Sequence, residues 1–212
     1  MALSNTATTP LRGLVLAGGE SRRMGTDKAT LQAGGVNLLD HAVSAMRAVL
    51  ADVYVAVRAG QRDDPVRQKY TVIEDRFSDV GPAAGLLAAH ARYPDTAWLV
   101  LACDMPLLDE ASLIYLRDGR DGHSDATALA AETGGRAEPL CAIYEPGTLA
   151  AFLAQVSAGG NPSPSAWLAA VQTRILVAPD PGALVSANTK AELAEMMNKI
   201  KSRPDVANRK PQ

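Results

Sequence analysis

The sequence has no surplus of positive charge: Lys and Arg total 21 against 23 Asp and Glu, and the formal charge is −2. A general nucleic-acid surface needs a basic excess, so no nucleic-acid partner is expected. No apolar run approaches the roughly 20 residues that a bilayer-spanning helix needs, so no membrane partner is expected either. The opening MALSNTATTP lacks a basic segment followed by an apolar run and does not read as a secretory signal. Cysteine is scarce. Cys103 and Cys141 lie in apolar, strand-like runs without the spacing of a disulfide framework, which suits reduced core thiols in a cytoplasm. Internal repeats are absent. Both common glycine-rich phosphate loops are missing too. The stretch from Leu16 to Lys28, LAGGESRRMGTDK, has no hydroxyl residue after Lys28, as a Walker loop requires. Its adjacent Gly18 and Gly19 do not fit GxGxxG.

What is present is enough chain for one sizeable core, 212 residues of ordinary globular composition with 47% apolar and 21% charged residues. Short apolar runs alternate with segments of helical period. That alternation predicts a single-domain, three-layer α/β/α fold with a mainly parallel, Rossmann-like sheet. Strands are expected at Gly13–Leu16, Val53–Val57, Thr71–Ile73, Trp98–Cys103, Ala126–Ala131, Pro139–Tyr144 and Arg174–Val177. Helices are expected at Leu38–Leu50, Pro82–Arg92, Ala111–Leu116, Thr148–Val156 and Ser165–Val171. A last helix runs from about Thr189 to Ile200, its start marked by a Thr189/Glu192 capping box. Asn161 to Pro164 reads as a stiff surface connection. The domain is expected over residues 11–201, with flexible ends at 1–10 and 202–212.

In an open α/β sheet ligands bind beyond the carboxyl ends of the strands. After the first strand, Gly18 and Gly19 allow close backbone approach, and Arg22, Arg23 and Lys28 supply cations to an anion. After the fourth expected strand comes Cys103-Asp104-Met105-Pro106, where Pro106 stops the strand. Beside a polyphosphate, Asp104 reads as a magnesium ligand, since Mg²⁺ takes one or two carboxylates with phosphate oxygens and water. Its rival role is to cap the Asp109–Leu116 segment or to accept turn hydrogen bonds. After the third strand, Asp75 offers the paired acceptor that the N1–H and exocyclic amine of guanine need, with Gly81-Pro82-Ala83-Ala84-Gly85 letting a base or ribose approach a helix start. A solvated turn residue is an equal reading of Asp75. His41, His90 and His123 lack ligand spacing and are expected as surface or capping residues. For Glu138 a ligand contact and a local pairing both stand. Asn188 is either a metal contact or part of a helix start.

Together, LAGGESRRMGTDK, IED at Asp75, GPAAGLL at Gly81, CDMP at Asp104, EPLCAIY at Glu138 and ANTKAEL near the end resemble the sugar-nucleotide type of nucleotidyltransferases. Within that superfamily the chain resembles the molybdenum cofactor guanylyltransferases, from Arg12 to about Ile200. The resemblance implies that Leu16, Ala17 and Gly18 meet base and ribose, and that the segment from Gly19 to Lys28 meets the phosphates. It likewise implies that Lys28, Asp75 and Asp104 are the phosphate lysine, the guanine-side aspartate and the magnesium aspartate, with Gly81 also at the nucleotide. The sequence departs from the family in two places. An asparagine usual after the second strand is replaced in Val55-Ala56-Val57-Arg58, and Asn-x-Asn-Thr-Pro becomes Ser186-Ala187-Asn188-Thr189-Lys190. Asn188 remains the candidate for a second metal contact.

The implied reaction moves GMP from GTP onto the terminal phosphate of molybdopterin, with Mg²⁺ as cofactor and pyrophosphate as product. Arg23, Lys28 and Asp104 carry it. Molybdopterin-delivering proteins and molybdoenzyme chaperones are the implied protein partners. Three rivals stand: a cytidylyltransferase for the same pterin, a sugar-phosphate nucleotidyltransferase, and a nucleotide-binding regulatory module without catalysis. The LAGG opening favours guanylyl over the LAAG of cytidylyl relatives. A pure sensor has no need for the metal carboxylate.

Overall fold

Successive side chains of β1 (Leu11–Leu16) go opposite ways, Leu14 into one apolar cluster and Val15 into another, which marks a strand covered on both faces. The pattern repeats in β6 (Ala97–Ala102): Trp98 and Val100 pack on one face, Leu99 and Leu101 on the other. Each such fully buried side chain contributes about 1.5–3 kcal/mol. The computed structural model describes residues 9–18, 27–33, 35–75, 77, 80–187 and 189–202. Among them β1 and β6 sit mid-sheet with β4 (Val53–Val57), β5 (Val72–Glu74), β7 (Ala126–Ala130), β8 (Cys141–Tyr144) and β9 (Thr173–Val177). The order is β5-β4-β1-β6-β8-β7-β9. All pairings are parallel except those of β8, which runs against both β6 and β7. The expected α/β/α architecture is what forms.

The helices divide between the faces. Leu39, Val43 and Met46 of α1 (Leu38–Val49) and Leu113 and Leu116 of α3 (Glu110–Asp118) cover one face. The other is covered by Leu86 and Leu87 of α2 (Ala83–Arg92), Leu149 and Phe152 of α4 (Pro146–Ser157), and Trp167 and Leu168 of α5 (Pro164–Ala170). Phe152 and Trp167 stack with centroids 4.9 Å apart. The last helix, α6 (Lys190–Ser202), starts at the expected capping box: Glu192 N–H donates to Thr189 Oγ1 and Thr189 N–H to Glu192 Oε2, both at 3.1 Å.

Three differences from the sequence reading have physical causes. A small hairpin, β2 (Gln32–Ala33) with β3 (Val36–Asn37), precedes α1, and two-residue strands carry no periodicity to read. The Asp109 side chain caps α3 by accepting from Ser112 N–H at 2.9 Å, so Asp104 is not that helix's cap. His90 is not at the surface: it is 5% exposed on α2, whose residues Ala83 to His90 are buried all round. Burial holds its pKa below the usual range. Residues 1–8 and 203–212 of the expected flexible ends lie outside the described residues.

Candidate active site

The parallel ladder does not stop where its strands do. Ala17 N–H donates to Ala56 C=O at 3.0 Å, Asp75 N–H to Val57 C=O at 2.8 Å and Cys103 N–H to Leu16 C=O at 3.2 Å. These bonds carry the register of β1, β4, β5 and β6 one residue further and fix the chain as it leaves the sheet. The strand order reverses between β1 and β6, which is where an open sheet leaves a crevice at its carboxyl edge. A cavity of about 600 Å³ lies there.

Every described residue expected at the nucleotide lines that cavity: Leu16, Ala17, Gly18, Lys28, Asp75, Gly81 and Asp104. Gly19, Arg23 and Asn188, together with Arg22, lie outside the described residues. Lys28 opens a helical turn, Lys28–Thr30, which Asp27 caps by accepting from Ala29 N–H at 3.0 Å. From there Lys28 Nζ reaches Asp104 Oδ2 at 2.6 Å, with the two side chains 16% and 19% exposed. Asp104 follows β6 directly past Cys103, and its C=O accepts from Ala187 N–H at 2.8 Å. That bond brings the segment before Asn188 against Asp104.

Asp75 occupies another wall beside Arg58 and Phe77. Burial pushes its carboxyl above the usual aspartate range, with Arg58 opposing the shift and Glu74 adding to it. Gly81, with φ +60°, makes the left-handed turn into α2. Gly85 lines the cavity too and has a second task. A Cβ there would lie 2.7 Å from Ala56 Cβ and 2.9 Å from Leu16 Cδ2, so that task is to let α2 press onto the sheet under the cavity. Glu138 pairs locally, its Oε1 accepting from Leu140 N–H at 3.0 Å, and burial raises its pKa.

The sequence reading missed the cavity's Phe77 and Leu140, and it missed Arg67 beneath it. Arg67 is wholly buried and donates through one nitrogen to both Ala17 C=O at 2.7 Å and Asp27 Oδ2 at 2.6 Å. Nothing local separates it from the exposed Arg62 nearby. The one available signal is that Val66 and Tyr70, four apart, pack on the core and fold this segment back.

Chemically the cavity offers a cation and a carboxylate at one wall and a second carboxylate at another. Among the described residues no three His, Cys, Asp or Glu side chains cluster to hold a metal by themselves. A single carboxylate facing a cavity with a lysine beside it fits Mg²⁺ that arrives with a triphosphate and takes its other ligands from phosphate and water.

The sequence matches the MobA-like NTP transferase domain over residues 13–175. It is 34% identical over 200 residues to a Mycobacterium avium protein named probable molybdenum cofactor guanylyltransferase, a match covering 86% of this chain and 93% of that one. A Synechocystis protein named molybdenum cofactor biosynthesis bifunctional protein is 32% identical over 149 residues; the match takes in 70% of this chain and spans 43% of that longer one. Among solved structures, molybdopterin-guanine dinucleotide biosynthesis protein A from Archaeoglobus fulgidus superposes with a TM-score of 0.74 at 21% identity, covering 91% of this chain and 100% of that one. At that identity the likeness is one of fold.

Proposed function

The chain belongs to the MobA-like NTP transferase domain family, whose members are nucleotidyltransferases, and from that premise we propose that it transfers GMP from GTP to the terminal phosphate of molybdopterin. One observation carries the reading. A single cavity presents the Lys28–Asp104 pair on one wall and the half-buried Asp75 on another, which suits the two ends of one nucleoside triphosphate. The name of the Mycobacterium avium relative points to guanylyl transfer.

In this reading Asp75 accepts from N1–H and the exocyclic amine of guanine, while Leu16, Ala17 and Gly18 meet base and ribose. Gly19, Arg23 and Lys28 serve the phosphates. Asp104, with Asn188 as second contact, would hold Mg²⁺, which when bound neutralises charge on the α-phosphate. A phosphate oxygen of molybdopterin attacks the α-phosphorus, the bond to the β-phosphate breaks, and pyrophosphate leaves with the electron pair. Lys28 steadies the charge on that leaving group. No side-chain base is needed, because the attacking phosphate is already ionised. The pterin end of the acceptor has a place in an adjoining hollow of about 460 Å³ between Gly81, Pro82, Leu140 and the Asn161 to Ser165 segment. Pterin-delivering proteins and molybdoenzyme chaperones belong to the same reading as partners. A cytoplasmic setting fits the free, buried Cys103 and Cys141, and among the described residues no helix is long and apolar enough to cross a membrane.

Melting curves with GTP, CTP, ATP and UTP, each with Mg²⁺, test the proposal. Stabilisation by mass action reaches about 2.7 kcal/mol at a hundredfold excess over Kd. GTP is expected to stabilise most. A larger shift with CTP overturns the guanylyl assignment in favour of the cytidylyl one, and no shift with any of them removes the nucleotide reading altogether.

A further inference from the structure

Burying an arginine removes a guanidinium from water, and an apolar side chain of similar volume would fill the same space without that loss. Arg67 is nevertheless 0% exposed. Its surroundings show what it does there. It stands in the connection from β4 to β5 in the chain, and its Nη2 donates to Ala17 C=O at 2.7 Å and to Asp27 Oδ2 at 2.6 Å, while Nη1 stands 3.3 Å from Asp64 Oδ1. Ala17 and Asp27 lie on either side of the glycine-rich phosphate segment in the chain, so one guanidinium ties its beginning to its end. Asp27 passes the constraint on. Its Oδ1 accepts from Ala29 N–H at 3.0 Å, and its C=O accepts from Thr30 N–H at 3.1 Å and Thr30 Oγ1 at 2.9 Å. Those bonds set the turn that aims Lys28 at Asp104.

We propose that Arg67 is a positioning residue for the phosphate end of the nucleotide site: by clamping Ala17 to Asp27 it places Lys28 where a triphosphate meets it. The inference rests on the reading of the cavity as a nucleoside triphosphate site. Arg67 does not itself line the cavity; it holds the lining residue Ala17 from behind. Its arm to Asp27 acts through Lys28 and so concerns the phosphates, and a change at Asp27 tests that arm while leaving the bond to Ala17 in place.

The test is calorimetric titration of the wild type, D27N, R67K and R67M with GTP and with guanosine, Mg²⁺ present, with a melting curve for each protein. Asp27→Asn keeps an oxygen to cap Ala29 N–H but turns the Oδ2 that accepts from Arg67 into an amide donor, so it breaks the bond to Arg67, while Asp64 Oδ1, 3.3 Å from Nη1, still faces the buried charge. D27N is expected to weaken GTP about tenfold, an equivalent of about 1.4 kcal/mol, and to leave guanosine within about twofold of wild type. R67K, which keeps a charge but not a planar fork spanning both partners, is expected between wild type and R67M. Equal weakening of GTP and guanosine in D27N would assign Arg67 to folding alone, and wild-type GTP affinity in D27N would remove the role outright. If the wild type prefers another base, the guanylyl reading fails. The Arg67 proposal is then decided by the same ratio measured with that triphosphate and its nucleoside.

Discussion

Two ion pairs stand on either side of the residues at the strand ends, and both are 2.6 Å long. Lys28 and Asp104 are 16% and 19% exposed and face the cavity. Arg67 and Asp27 are 0% and 29% exposed and lie behind it. The difference in water decides what each can do. A pair at the cavity wall can exchange partners when a ligand brings its own charges, so it is fitted to chemistry. In the second pair the guanidinium alone is cut off from water, so Arg67 cannot leave its partners and is fitted to holding geometry, at a desolvation cost that makes it a poor source of net stability.

Breaking the cavity pair has the largest expected effect. Asp104→Ala removes the carboxylate proposed to serve the α-phosphate, so turnover should fall by about 10²–10³ or more. Stability should change little, because both side chains keep contact with solvent and part-exposed pairs contribute about 0–1 kcal/mol. Single-turnover rates and a melting curve check both halves. Near-normal turnover would take Asp104 out of the chemistry.

The reverse pattern belongs to the pair anchored by the buried arginine. Arg67→Met should cost about 3 kcal/mol, the low end for breaking a buried pair because the abandoned Asp27 is 29% exposed. For a chain of this length that is a melting point lower by about 6–12 °C. A melting point within about 1 °C of wild type would show that the two pairs do not differ as their exposure implies.

How far each pair was legible follows from where its signals lie. Asp104 stands between a wholly buried strand and Pro106, and Lys28 closes a cation-rich segment after β1, so both were visible from their neighbours. The long strands were legible for the same reason: their apolar runs are local. Arg67 was not, because its burial is fixed by Ala17 and Asp27, 50 and 40 residues away. The sequence around it, RDDPVRQK, reads as a solvated loop. His90 was misplaced through neglect of a readable pattern. Its helix, AAGLLAAHAR, is apolar on every side, and such helices are buried.

Asp75 sharpens the comparison between the pairs at its smallest scale. It is a half-buried carboxylate whose pKa burial raises from 3.8, so the native state binds its proton more tightly than the unfolded chain does. The stability from this group is full below 3.8 and is lost as pH rises through the folded pKa. Binding runs the other way, since only the ionised carboxylate accepts both guanine donors. KM for GTP should therefore rise as pH falls through that raised pKa, and Asp75→Asn should flatten this acid limb and narrow the gap between GTP and CTP. An unchanged limb in the variant would mean that another group titrates.

The reversed strand has a consequence in time. β7 and β8 follow each other in the chain, joined by residues 131–140, and pair with each other, so this pairing closes a smaller loop than those of β1 and can form early. β1 has no such neighbour. Its partners are β4, where Gly13 pairs with Val53, and β6, where Leu11 pairs with Ala97. A ribosome releases β1 before either of them, so an apolar strand that ends mid-sheet waits with one edge open until β4 is made and the other until β6 is made. Of the described strands, the one that carries the opening of the nucleotide site is thus made first and keeps an open edge until β6 follows, and in that interval it is exposed to edge-to-edge association.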